Sequence, residues 1–97
     1  MTLTQLRVFV AVARHEHMTR AAESLHLAQS AASAAITALE AEHGVQLFDR
    51  VGRCIRLSAV GHAFLPDACA VLEGADRASA KLRGVDRKTR LDARETC

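Results

Sequence analysis

The chain has 97 residues with 13 Lys or Arg and 11 Asp or Glu, a formal net charge of +2. Its length has room for one small domain with an appended helix or tail. With 49% hydrophobic residues, no Trp or Tyr and a single Pro, the composition favours a compact, mainly α protein whose core is aliphatic and alanine-rich. Such a small net charge gives only modest non-specific affinity for nucleic acids. Any DNA binding therefore depends on where the charges lie.

Cysteine usage and hydropathy exclude several classes of protein. Cys54, Cys69 and Cys97 are widely spaced and form no CxxC pair, which argues against a disulfide framework and fits a reducing compartment. No apolar run approaches the roughly 18 residues of a membrane span, and the N-terminus lacks the features of a signal peptide. We expect a soluble intracellular protein with no membrane partner.

Residues 3–15 have the apolar spacing of an amphipathic helix. Thr2, followed three residues later by Gln5, predicts a capping box at its start. The pattern breaks around His15 and His17, where a loop is expected. These two histidines have no third ligand nearby in sequence, so the spacing favours solvated side chains over a metal site.

The next segment predicts a second helix capped by Thr19 and running to about His26. A short turn leads to a third helix at residues 29–42, where alanine is so frequent that helix propensity is high throughout. One side of this third helix is apolar, and the opposite side carries small side chains: Gln29, Ser30, Ser33, Ala34 and Thr37. Alone, this face fits either a solvent-exposed helix or a helix that reads DNA. The preceding helix and turn favour a helix-turn-helix whose small side chains reach base edges.

A β-hairpin is predicted from residues 47–50 and 54–57, joined by a turn at Gly52. Half of the six Lys or Arg in the first 62 residues lie in this segment: Arg50, Arg53 and Arg56. Arginines of this kind bind phosphates and can enter a narrow minor groove. The cluster predicts a DNA-contacting wing, with an ordinary solvated turn as the alternative.

Ser58 can cap a long helix from Ala59 to about Arg83, which would span about 37 Å. Its apolar stripe is too long to be buried by a core of this size, so a partner helix is the natural cover. We assign dimerisation to the side chains of that stripe: Phe64, Leu65, Ala68, Val71, Leu72, Ala75 and Leu82. Residues 84–97 are dense in both charges and are expected to form a disordered tail.

Several ordered motifs run along residues 3–83. They include Leu6-x-x-Phe9, Thr19-Arg20-Ala21-Ala22, Gln29-Ser30-Ala31-x-Ser33-x-x-Ile36, Gly44-Val45-x-Leu47-Phe48-x-Arg50 and Leu57-Ser58-x-x-Gly61. Together they strongly resemble the N-terminal region of LysR-type transcriptional regulators. The resemblance implies a winged helix-turn-helix of three helices and a two-stranded wing at 1–58, followed by a dimerising linker helix at 59–83. It also implies a bacterial, cytoplasmic and nucleoid-associated protein.

The resemblance also implies roles for individual residues. The third helix, with Gln29, Ser30, Ser33 and Ala34, would enter the major groove, and Thr37 shares that face. Phosphate and wing contacts are assigned to five positions: Thr19, Arg20, Arg50, Arg53 and Arg56. Among these, Thr19 and Arg50 would lie near backbone phosphates, and Arg53 would extend toward the minor groove.

This chain departs from the family pattern in three positions and in length. Position 28 is usually Ser or Thr and caps the third helix, whereas Ala28 lacks that cap, which costs about 1 kcal/mol. Ala34 and Thr37 stand where relatives often carry basic residues. Family members continue into an effector-binding domain that senses a small metabolite, and we expect no such site within these 97 residues. Two interpretations of the sequence are left open: a fragment of a longer regulator, and a short protein in its own right.

The leading functional hypothesis is a homodimer that binds an interrupted palindromic operator in double-stranded DNA and regulates transcription. Its half-sites would lie about 34 Å apart, or a multiple of that distance. The alternative is an interaction module that pairs with full-length relatives and antagonises them. The five His and three Cys show no nucleophile–base or metal-ligand spacing. We therefore predict no enzyme activity, no catalytic residues, no metal and no cofactor.

Overall fold

The computed structural model describes residues 1–52 and 54–84, so Arg53 and the predicted tail beyond Gly84 lie outside the described residues. The elements in chain order are α1 (Leu3–His15), α2 (Met18–Ser24), α3 (Gln29–His43), β1 (Phe48–Val51), β2 (Cys54–Leu57) and α4 (Ala59–Gly84). The two strands form an antiparallel hairpin. This arrangement confirms the predicted class, a three-helix body with a two-stranded wing and a long following helix.

The first helix, α1, forms the centre of the core. Its predicted capping box is present, because the Thr2 hydroxyl accepts from the backbone N–H of Gln5 and the Gln5 side chain accepts in return. Phe9 is fully buried, and its ring lies 5.3 Å from that of Phe48 in β1 and 5.0 Å from that of Phe64 in α4. Helix α1 therefore joins the wing and the long helix to the same core.

The second helix differs from its prediction at both ends. It begins at Met18, and its N-cap is His17 instead of Thr19. His17 has extended backbone angles, and its Nδ1 accepts from the backbone N–H of Arg20 at 3.2 Å. Because the buried Met18 packs into the core one residue before Thr19, an imidazole nitrogen takes the place of the expected hydroxyl. The helix ends at Ser24 instead of near His26, since His26 adopts a positive φ of 58°.

Helix α3 begins at Gln29 and buries Ala32, Ile36 and Leu39 along one side. Ala28 occupies the N-cap position without a side-chain hydrogen bond, which confirms the missing cap. Gly44 ends the helix in the left-handed region, with φ of 63°, where glycine is favoured.

Near the end of α3, the ammonium of Met1 lies 2.6 Å from a carboxylate oxygen of Glu42. Its hydrogen bond lowers the pKa of Glu42 below the usual value. This pair joins the segment before α1 to the last turns of α3.

The first turn of α4 is held against the segment that leads into the wing. The Ser58 hydroxyl accepts from the backbone N–H of Gly61 at 3.0 Å, which confirms the predicted cap. The same hydroxyl donates to the carbonyl of Gln46 at 2.6 Å, and the Ser58 N–H donates to the carbonyl of Leu47 at 2.9 Å.

No helix among the described residues combines the length and apolar character that a membrane crossing requires.

At Gly61, the backbone of α4 packs closely against the segment that leads into the wing. A Cβ added there would overlap the carbonyl oxygen of Leu47 and come within 2.8 Å of Cδ2 of Leu57. Backbone atoms cannot move aside as a flexible side chain can, so only glycine fits this position.

We predict that Gly61→Ala lowers the free energy of unfolding by about 1–3 kcal/mol, because the new methyl group forces α4 away from Leu47. Gly74→Ala is the matched control in the same helix, since among the described residues a Cβ there meets only the Arg77 side chain, at 3.7 Å. That substitution should raise the free energy of unfolding by up to about 1 kcal/mol. Urea unfolding measures both, and equal effects of the two substitutions would contradict the close approach.

Restoring the missing cap of α3 provides a second stability prediction. Ala28 already has the extended backbone of an N-cap, with φ of −69° and ψ of 148°, so Ala28→Ser should add about 1 kcal/mol. Thermal unfolding without DNA should then show a midpoint about 4–8 °C higher. Ala31→Ser, also exposed but inside the first turn, is the control and should bring no gain. A gain with both variants would show that serine acts by some route other than capping.

Candidate nucleic-acid interface

Helices α2 and α3 form the predicted helix-turn-helix. Their connecting turn, residues 25–28, places the half-buried side chains of Leu25 and Leu27 against the core. The backbone N–H of Leu27 donates to the carbonyl of Ala22 at 2.9 Å, which closes the turn. With its apolar side anchored, α3 leaves its opposite side in solvent.

The structure divides the predicted reading face of α3 into two parts. Ser33 is half-buried and Thr37 exposed, and both line a cleft between α3 and the wing. This cleft has a volume of about 410 Å³ and also contains Glu40 and Arg50. Ser30 and Ala34 are exposed and line no cleft described between α3 and the wing. The free ridge of the helix therefore presents a hydroxyl and a methyl group, while Ser33 and Thr37 face toward the wing.

The strand register separates the arginines of the wing. Arg50 lies opposite Ile55, and Asp49 lies opposite Arg56. Because side chains alternate between the two faces of a strand, Arg50 and Arg56 lie on opposite faces of the hairpin. Arg50 lines the cleft beside α3, whereas Nε of Arg56 lies 4.0 Å from a carboxylate oxygen of Glu16.

A second, smaller cleft brings together residues from three elements. It has a volume of about 130 Å³, and its polar lining consists of His17, Thr19, Gln29 and Arg50. The predictions for Thr19 and Arg50 as phosphate residues and for Gln29 as a base-reading residue thus meet at one place. Sequence reasoning missed His17, although its position directly before the first buried residue of α2 was a usable signal for a cap.

The remaining predicted phosphate residues are Arg20 and Arg53. Arg20 is exposed on α2, and Arg53 lies outside the described residues. Among the ion pairs of residues 1–52 and 54–84, neither Arg20 nor Arg50 takes part. Both cations are accordingly available to an external anion.

The predicted dimerisation stripe is partly used within the chain. Phe64, Leu65 and Leu72 are half-buried against the core, and Ala68 is only 1% exposed. Ala68 is thus covered by its own domain and is not free to contact a second copy. Ala75 is half-buried, whereas Val71 is 49% and Leu82 74% exposed, so the outer part of the stripe stays open.

The part of the chain that the structure describes contains no cluster of three or more His, Cys, Asp or Glu suited to a metal ion. Cys54 is exposed at the start of β2 and Cys69 is half-buried in α4, both as free thiols.

Comparison with known proteins agrees with this geometry. Residues 3–62 match a family described as bacterial regulatory helix-turn-helix protein, lysR family. The HTH-type transcriptional regulator BudR of Klebsiella aerogenes is 47% identical over 87 residues, which cover 90% of this chain and 61% of that protein. The HTH-type transcriptional regulator TcbR of Pseudomonas sp. (strain P51) is 44% identical over 87 residues, covering 90% of this chain and 30% of that protein. The chain thus spans less than two thirds of the length of either relative.

A solved structure, the crystal structure of the CbnR_DBD–DNA complex, superimposes with a TM-score of 0.80 at 44% sequence identity. The match covers 90% of this chain and all of that one. Helices, wing and long helix are therefore shared with a domain that was crystallised on DNA.

Proposed function

The chain belongs to the lysR family of bacterial regulatory helix-turn-helix proteins, and from this membership we propose that it binds an operator in double-stranded DNA as a homodimer and regulates transcription. The observation that carries the proposal is the exposed side of α3 beside Arg50, an arginine without an ion-pair partner among the described residues. The similarity to the CbnR_DBD–DNA complex supports the same choice of ligand. The protein would act in the bacterial cytoplasm, at the nucleoid.

Base reading is assigned to the start and free ridge of α3. An amide such as that of Gln29 can pair with an adenine edge, the Ser30 hydroxyl can serve as donor or acceptor, and the Ala34 methyl suits a thymine methyl. None of these side chains carries charge. We therefore assign much of the affinity to arginines outside the ridge, chiefly Arg50 and Arg20.

Arg50 and Arg56 offer a matched test of this division. Arg50 opens toward α3, whereas Arg56 lies on the opposite face of the hairpin beside Glu16. On an operator first selected from a random DNA pool, Arg50→Ala should weaken binding and reduce the salt slope by about one unit. Arg56→Ala should change both quantities much less. Equal losses from the two substitutions, measured by fluorescence anisotropy across a salt series, would count against α3 and Arg50 as the DNA-facing side.

The homodimer is proposed to form through the outer side of α4. Val60, Val71 and Leu82 are exposed along this helix at 46%, 49% and 74%. Val60 borders an apolar cleft of about 180 Å³ whose lining includes Leu47 and Phe64. A second copy running antiparallel would bring its Leu82 toward this cleft and cover both ends of each helix.

Charge favours the antiparallel orientation. The last turn of α4 carries Lys81 and Arg83, which parallel pairing would place next to the same residues of the other copy. Antiparallel pairing separates the two basic ends. Each basic end then lies near the half of the other copy's α4 that contains Asp67. The two recognition helices would then be related by a two-fold axis and address two half-sites.

Leu82→Asp and Val71→Asp should convert the dimer into a monomer, because each buries a carboxylate in an apolar interface. Ala70→Asp is the control, an exposed position on another side of α4, and should leave the dimer intact. Sedimentation velocity measures the assembly state. The monomeric variants should also bind the two-half-site operator more weakly while retaining wild-type affinity for an isolated half-site. A dimer that survives both charged substitutions would exclude this side of α4 as the interface.

A second function uses the same helix. The outer side of α4 is exposed, and the recognition face has no cation at Ala34 or Thr37. The chain would therefore also suit pairing with full-length relatives, and the resulting mixed dimers would be inactive. Co-expression with a tagged full-length relative tests this alternative. Mixed dimers that persist in Ala70→Asp and disappear in Leu82→Asp would support it, and absence of mixed dimers in the wild type would reject it.

A further inference from the structure

We propose that the small cleft lined by His17, Thr19, Gln29 and Arg50 binds one backbone phosphate of the DNA, and that His17 contacts this phosphate through Nε2. The inference rests on the proposed DNA binding. It adds a contact residue that neither the sequence nor the family resemblance assigned, and it makes one imidazole responsible for both a helix cap and a DNA contact.

The composition of the cleft selects an anion. Its floor is apolar, formed by the buried side chains of Met18 and Ile55. Its polar lining can donate hydrogen bonds from an imidazole, a hydroxyl, an amide and a guanidinium, and none of the described residues that line it is a carboxylate. The neighbouring cleft under α3, by contrast, includes Glu40. A phosphate oxygen therefore finds only possible donors in the smaller cleft, and Arg50 supplies a full positive charge.

His17 carries a donor that the fold leaves unused. Its Nδ1 accepts from the backbone N–H of Arg20 at 3.2 Å, and a neutral imidazole that accepts at Nδ1 carries its hydrogen on Nε2. No hydrogen bond among the described residues uses this Nε2. The ring is exposed and borders the cleft, so a phosphate there can accept from it.

The cap orients this donor. Nδ1 is hydrogen-bonded to the start of α2, and the ring lines the same cleft as Thr19 and Arg50 of the wing. A phosphate held between them would connect α2, α3 and the wing through a single group. Such a contact sets the register of the protein on the duplex and does not distinguish bases.

The two nitrogens of His17 can be separated by substitution. His17→Asn keeps an acceptor near the position of Nδ1, and His17→Ser keeps a hydroxyl cap, but neither reaches the position of Nε2. Both variants should unfold within about 2 °C of the wild type and bind the selected operator about threefold to tenfold more weakly, the range of one neutral hydrogen bond. His17→Gln places an amide N–H closer to the position of Nε2 and should recover most of the affinity. The salt slope should change less in all three than in Arg50→Ala, because each of them keeps the Arg50 guanidinium.

His15→Asn provides the control. His15 is exposed at the end of α1 and does not line this cleft, so its substitution should leave affinity unchanged.

A second experiment replaces single phosphates of the operator with uncharged methylphosphonates. At one position in each half-site, the penalties of His17→Asn and of Arg50→Ala should both shrink, while at other positions they should persist.

Binding of His17→Asn and His17→Ser at wild-type affinity overturns the inference. So does a result in which the penalties of His17→Asn and Arg50→Ala shrink at different phosphates. Either outcome leaves the proposed function intact as long as the wild type binds its operator. Failure of the wild type to bind any selected DNA would instead reject the proposed function itself.

Discussion

Phe9 joins three parts of the chain that lie far apart in sequence. The chain has three phenylalanines, and the other two, Phe48 of the wing and Phe64 of the long helix, both pack against the buried ring of Phe9. This cluster holds the hairpin and α4 on the helix-turn-helix body, and full burial of a phenylalanine side chain such as that of Phe9 contributes about 1.5–3 kcal/mol. The position of Arg50 relative to α3 depends on it, because Arg50 lies two residues after Phe48 on the same face of the strand.

A second constraint connects the long helix to the wing. Ser58 binds the carbonyls of Gln46 and Leu47, and Gly61 lets the α4 backbone pass against that same segment. The start of the proposed dimer helix and the start of β1 are therefore held by the same few atoms.

Much of the fold followed from local patterns. The capping box of α1, Gly44 at the end of α3, the hairpin around Gly52 and the cap at Ser58 were each predicted from adjacent residues, and each is present. The N-cap of α2 was wrong. Residue preferences favoured the hydroxyl of Thr19, whereas burial of Met18 moved the start of the helix two residues earlier and gave the cap to His17.

The sequence by itself determined which residues are candidates for the site. These are the small side chains of α3, the arginines of the wing and the apolar stripe of α4, all of which follow from residue type and spacing. Only the tertiary structure decided which of them meet. It brought His17 and Arg50 to one cleft, turned Arg56 to the opposite face of the hairpin and covered Ala68 within its own domain. The physical reason is that helical and strand periodicity fix the direction of a side chain only relative to its own element. The relation between elements is set by the packing around Phe9 and by the close contact at Gly61, neither of which is visible in the local sequence pattern.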